Sequence, residues 1–262
     1  MADVDVAALY AEGRKRITEL LEGVSDEEAK TAVPTCPQWS VHDVAAHLAG
    51  TCADVLSGNL AGVATDPWTA AQVEARRDKS LAEIVAEWNE VAPQVEAFAN
   101  NFPGRVGEQW VLDMTTHEHD VRLGLGRQGA RDSACVRVGA DFMVSMGLHE
   151  TLSAHGLGPI EVRSESKTWV VGGERTAPSG ALGAQDEAGE QFFAAISEGR
   201  EVPSSGESVG TLEASDFELM RALTGRRSLR QIAAMSWSVD PDPYAKVFEF
   251  GPFTISPTDI DE

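Results

Sequence analysis

A chain of 262 residues with 42 acidic against 21 basic side chains has room for one large or two modest domains. Its net charge of -21 repels a phosphate backbone or an anionic membrane surface, which excludes nucleic acid and lipid as natural partners. No stretch approaches the roughly 20 apolar residues of a membrane span, the opening MADVDVAALYAEGRKR carries acids where a secretory signal carries bases, and three scattered cysteines form no CxxC pair, so a cytoplasmic protein with reduced thiols is expected.

The first half reads as helices. VAALYAEGRKRITELLEGV has apolar residues at helical intervals and stops before the acidic turn SDEE. VPTCPQWS brings two prolines, and Ser40 with Asp43 three residues later forms a near capping box for VHDVAAHLAGTCADVLSG. A third helical region runs from about residue 69 to 100, with a kink or break expected at Pro93. A fourth covers 106 to about 124 and ends at the glycines of GLG; a fifth is GADFMVSMGLHETLSAHG. Long helices with short connections favour an antiparallel bundle.

Near GLGPIEV the texture changes. IEVRSESKTWVV alternates like a strand, a shorter helix is expected around DEAGEQFFAAIS and another at DFELMRALTG, and YAKVFEFGPFTIS reads as a terminal strand. The expected class is α+β in two domains: a helical bundle over residues 1–157 and a small α+β domain over 158–262.

The stretch WVLDMTTHEHDVRLGLG holds two histidines and three carboxylates. Residues two apart on a helix diverge by about 200°, so His117 and His119 cannot share a ligand face, whereas Asp113 and His117, four apart, do. Glu118 and His119 then project into solvent or a helix contact. An Asp and a His one turn apart can fill two positions around a divalent metal, or simply be neighbours on a wet helix face. A third ligand must come from another helix. His47 lies with Val44, Leu48 and Thr51 on an inward stripe, while His42 beside Asp43 is expected to face water. Alone, His47 reads as a core histidine with one hydrogen bond. Facing Asp113 and His117, it completes a set of two imidazoles and a carboxylate that leaves metal positions open, as catalytic sites do.

These residues carry a resemblance. CPQWSVHDVAAHLAG followed some way on by DMTTHEHDVRLGLG resembles the mycothiol-dependent maleylpyruvate isomerase family, through Trp39, His47, Asp113, His117, Asp120, Arg122, Leu125 and Gly126. LEASDFELMRALTGRRSLRQIAAMSW is similar to that family's second, sterol-carrier-protein-like domain. The resemblance implies a DinB-like four-helix bundle, a metal held by His47, Asp113 and His117, and a zinc ion or another divalent metal together with mycothiol as cofactors. One departure stands out: the family's named isomerase has a glutamate where this chain has the shorter Asp113.

The implied chemistry is that of a thiol whose proton is lost beside the metal. Added to a cis double bond and released after rotation, the sulfur isomerises a small electrophile; retained, it makes the enzyme an S-transferase. By the same resemblance Arg221 is the candidate to meet a carboxylate of the small-molecule electrophile, its planar fork matching that group. Arg122 and Arg226 are candidates for cofactor binding, with Arg227 beside them. Asp120, three residues past His117, is placed to orient it or to bond Arg122. Trp39 reads as a core anchor, and the chain's own cysteines as poor nucleophiles. The other readings are a non-enzymatic metal-binding or thiol-sensing protein of the same fold, and a metal-dependent hydrolase that needs no thiol. Sixteen arginines against 5 lysines, and abundant alanine, fit a GC-rich genome such as those of the actinobacteria that make mycothiol.

Overall fold

The computed structural model describes residues 4–173 and 207–262. These form two compact units, the first reaching Gly129 and the second starting at Ala130. The protein has both helices and sheets, an α+β composition as expected.

In the first unit, α1 (Val6–Leu21), α3 (Val41–Ser57), α5 (Leu81–Ala99) and α6 (Val106–Gly124) are the long helices; α1 packs on α5 and α6, and α3 on α5 and α6. Tyr10, Ile17, Val44, Leu48, Ile84, Trp88 and Met114 fill the space they share, all fully buried. Tyr10 stacks on Trp110 at 3.4 Å between centroids, and Trp88 meets its edge. Between α1 and α3 the acidic turn is itself a short helix, α2 (Asp26–Ala29), closed by a Ser25–Glu28 capping box. A hairpin of β1 (Ala32–Val33) and β2 (Cys36–Ser40) follows. Ser40 and Asp43 make the full capping box at the start of α3, because Asp43 reaches back to the Ser40 N–H.

The third helical region is divided, but not at Pro93. α4 (Asp66–Glu74) ends before α5 begins at its own Ser80–Glu83 capping box, and α5 runs unbroken through Pro93. Pro93 lies on the exposed face, where water can satisfy the carbonyl that the proline leaves without a partner. α6 ends ahead of Gly126, whose φ of 64° is a left-handed conformation that glycine adopts freely.

α3 and α4 meet closely at Gly50. A Cβ built there would lie 2.5 Å from Gln72 Cβ and 2.8 Å from Gln72 Cγ. These atoms are near the backbone, so α4 itself would have to shift. Overpacking costs about 1–3 kcal/mol, offset by the roughly 1 kcal/mol that alanine gains over glycine within a helix. Gly50→Ala is therefore expected to lower stability by up to about 2 kcal/mol, read as a reduced urea midpoint; a raised midpoint would contradict the close approach.

The second unit begins at Ala130, and its first helical residues are 134–154. The stretch consists of α7 (Ala134–Phe142), a π-helical turn (Met143–Leu148) and α8 (His149–Ala154). Its partners lie further along the chain: α9 (Asp216–Leu223) packs on α7 and on the π turn. The single strand read from IEVRSESKTWVV is a hairpin, β3 (Ile160–Arg163) and β4 (Thr168–Val171), because Ser164 N–H donates to the Lys167 carbonyl and closes a turn. With β5 (Gly210–Glu213) and β6 (Ser236–Trp237) they form a sheet in the order β4-β3-β5-β6, β3 and β5 parallel and the other pairs antiparallel. α10 (Leu229–Ala233) starts at a Ser228–Gln231 capping box.

The expected terminal strand does not form. Its first residues belong to α11 (Asp242–Ala245), which the prolines of PDPYA initiate, and Gly251 at φ 57° folds Phe250 back onto Phe253. The helix expected around DEAGEQFFAAIS lies outside the described residues.

Candidate metal centre

α6 is not a wet helix face. From Trp110 to Val121 every residue is buried except Asp113, whose side chain is 25% exposed. Polar side chains in such a setting are costly unless partnered, and the partners define the site.

Three donor groups converge. His47 on α3 places Nε2 3.4 Å from Asp113 Oδ2, and His117 places Nε2 3.7 Å from Asp113 Oδ1. The donor atoms of His47, Asp113 and His117 all lie within 4.8 Å of one another. A tetrahedral zinc with ligands at about 2.0–2.1 Å has edges of about 3.3–3.4 Å. The observed separations are therefore those of a donor set able to close on one cation with little movement.

The far nitrogens are held. His47 Nδ1 lies 2.8 Å from Gln72 Oε1, and the Gln72 amide nitrogen donates to Asp54 at 2.7 Å. A carboxylate only accepts, so Asp54 takes the Gln72 NH₂ and leaves its carbonyl oxygen toward His47. His47 must then donate from Nδ1, which leaves the Nε2 lone pair facing the other two groups. His117 Nδ1 lies 3.1 Å from Asp120 Oδ2, so Asp120 fills the orienting role considered for it, and it is itself fully buried and fixed by Thr35 Oγ1 at 2.8 Å. Trp39, half-buried on β2, packs its ring against both imidazoles, 5.1 Å from His47 and 5.6 Å from His117 between centroids. It is a wall of the site rather than the core anchor expected, since it lies outside the buried core.

Burial works against a charge on His47, yet the Asp113 carboxylate and the bonds to Asp113 and Gln72 outweigh it, and the pKa is raised. A cation binding at Nε2 therefore competes with a proton there.

Glu118 does not project into solvent. It is fully buried between two arginines, with Arg16 Nη2 at 2.8 Å from α1 and Arg122 Nη2 at 2.9 Å. Arg122 also gives Nη1 to the Arg127 carbonyl, so the structure places this candidate cofactor residue in a buried ion cluster one turn beyond Glu118. His119 is buried as well. His42 is half-buried rather than facing water: its Nε2–H donates to the Lys79 carbonyl at 2.7 Å.

Of the cysteines, Cys52 is enclosed beside Tyr10, and burial pushes its thiol up to about 12, which leaves it protonated and unreactive near neutral pH. Cys135 is buried and Cys36 half-exposed. In the second unit, Arg221 on α9 is wholly buried, Arg226 donates to the Thr224 carbonyl, and Arg227 forks onto Glu218 at 2.7 and 2.8 Å.

Sequence reasoning missed Gln72, Asp54 and Thr35. Gln72 lies on α4 and Thr35 in the β1–β2 turn, where no local pattern ties them to the ligands; Asp54 lies on α3 itself, two turns beyond His47, and helical spacing could have placed it on the same face.

A helical unit carrying two imidazoles and a carboxylate, each imidazole steadied from behind, defines a candidate metal-binding domain. Residues 10–131 match the family described as the mycothiol maleylpyruvate isomerase N-terminal domain, so this part of the chain is similar to that family. No curated protein and no solved structure matches the chain.

Proposed function

We propose that this protein is a zinc-dependent, mycothiol-using enzyme, an isomerase of the maleylpyruvate type or a thiol S-transferase, acting on a small electrophile that bears a carboxylate. The observation that carries this reading is the convergence of His47 Nε2, His117 Nε2 and the Asp113 carboxylate, with both Nδ1 atoms tied to outer acceptors. The family of residues 10–131, named for a mycothiol-related enzyme, supports the thiol and the DinB-like character of the four long helices.

A divalent cation held by these three side chains would supply the positive charge that keeps an incoming thiol deprotonated near neutral pH. The chain's own residues do the rest. His47 and His117 bind as neutral rings, with Gln72 and Asp120 holding their remaining protons on Nδ1. Asp113 balances part of the cation's charge and lies on the side open to solvent, where a thiol and an electrophile can enter. Trp39 covers the imidazoles and keeps water from their faces. Asp113, shorter than glutamate by one methylene, would supply the carboxylate ligand from α6. On the family resemblance alone, Arg221, wholly buried on α9, is the proposed partner of a substrate carboxylate, and Arg122, held by Glu118, and Arg226 are the proposed partners of the thiol cofactor.

The test is metal content by mass spectrometry, on protein purified without chelator or a histidine tag, beside His47→Ala. About one zinc per chain, lost in the variant while the helical circular dichroism spectrum is kept, is the expected result. Turnover of maleylpyruvate or a related electrophile should then need added mycothiol. Absence of metal from the intact protein, even after zinc is supplied, would sink the reading. Turnover that ignores the thiol would turn it into that of a hydrolase.

A further inference from the structure

The back of the metal centre carries a second donor set. Cys36, the first residue of β2, points Sγ toward Asp120 Oδ2 at 3.7 Å, and His117 Nδ1 lies 3.1 Å from the same oxygen. The donor atoms of Cys36, His117 and Asp120 all fall within 4.8 Å of one another. Thr35 Oγ1 holds the other Asp120 oxygen, Oδ1, so the carboxylate is already turned with Oδ2 toward sulfur and nitrogen. His117 and Asp120 are buried and Cys36 is half-exposed, which leaves a way in from solvent on the cysteine side.

We infer that Cys36, His117 and Asp120 form a second cation site for a thiophilic divalent metal such as cadmium or zinc, back to back with the first across the His117 ring. The donor chemistry is the reason. One thiolate, one imidazole nitrogen and one carboxylate oxygen are the ligand types such metals select. A metal with sulfur at about 2.3 Å and nitrogen or oxygen at about 2.0 Å spans S···O separations of about 3.5 Å, close to the observed 3.7 Å. The two sites use opposite nitrogens of His117, so filling both removes the Nδ1 proton as well as the thiol proton, and both pass to solvent. The second site is accordingly the weaker one: it must displace the His117–Asp120 hydrogen bond, and its cation sits across one ring from the first.

This inference shares His117 with the reading above, and the two are separated by their other ligands. The experiment is a cadmium titration of the intact chain, with bound metal measured by mass spectrometry and thiolate-to-cadmium charge transfer followed in the ultraviolet. Two equivalents are expected, the later one bringing the sulfur band. Cys36→Ser should lose that band and one equivalent; His47→Ala should lose the earlier equivalent and keep the band. Asp120→Asn should weaken the sulfur-bearing equivalent while Cys36 is still present, which guards against a fold effect of the cysteine change. No sulfur band at saturation, or a band that survives Cys36→Ser, would overturn the second site. A sulfur band lost in Cys36→Ser, beside a first equivalent indifferent to His47→Ala, would uphold the second site and remove the first.

Discussion

Replacing Glu118 with alanine should cost about 3 kcal/mol of stability, the largest single loss expected among the polar residues of the first unit. The carboxylate has no exposed surface and takes hydrogen bonds from Arg16 on α1 and Arg122 on its own helix. Two guanidinium groups converge on one carboxylate there, and removing the anion leaves two cations facing each other. Breaking a buried pair from one side costs about 3–5 kcal/mol. The lower end applies because the side chains of Arg16 and Arg122 keep 18% and 15% of their surface in water. Urea unfolding followed by circular dichroism measures it. A loss below about 1 kcal/mol, the range of surface ion pairs, would mean that the arginines turn outward when Glu118 is gone.

Gln72→Leu should weaken metal binding by about 10–100-fold with a much smaller effect on the fold. Leucine has nearly the volume of glutamine and suits a buried position, but it cannot accept the Nδ1–H of His47. That proton would be left in a dry pocket at a cost of about 1–3 kcal/mol. The ring escapes the cost by rotating or by carrying its proton on Nε2, and either answer takes the lone pair away from the cation. A competition titration against a chelating dye reads the change. Unchanged affinity would reduce Gln72 to packing, and the Asp54–Gln72–His47 chain would be incidental to the site.

Both residues show how far the sequence could be read. The spacing Asp113–His117 and the inward stripe of His47 were visible because helical periodicity assigns faces, and the three side chains do meet. Periodicity also separated His117 from His119. It left Glu118 open between solvent and a helix contact, and the structure gives the helix contact, because the partner that decides it lies more than one hundred positions away on α1. Gln72 was invisible for the same reason: the fold joins it to His47, and no local pattern does. In the second unit, alternation found β3 and β4 but merged them, because the SESK turn contains neither glycine nor proline. Aromatic and β-branched residues suggested a strand after Tyr244, where PDPYA starts a helix instead and Gly251 turns the chain. The helical stretch 134–154 reads like one more member of the bundle, yet its apolar faces meet α9 and β4, partners that lie further along the chain.

The Trp39 ring against both imidazoles gives the protein an optical label of its own. Indole emission is quenched by a nearby protonated imidazole and responds to charge at its face. Five other tryptophans contribute background, but Trp39→Phe identifies the share that comes from the site. Binding of a cation at the proposed centre would thus be followed in real time in the unmodified chain, on samples too dilute for any measurement of bound mass.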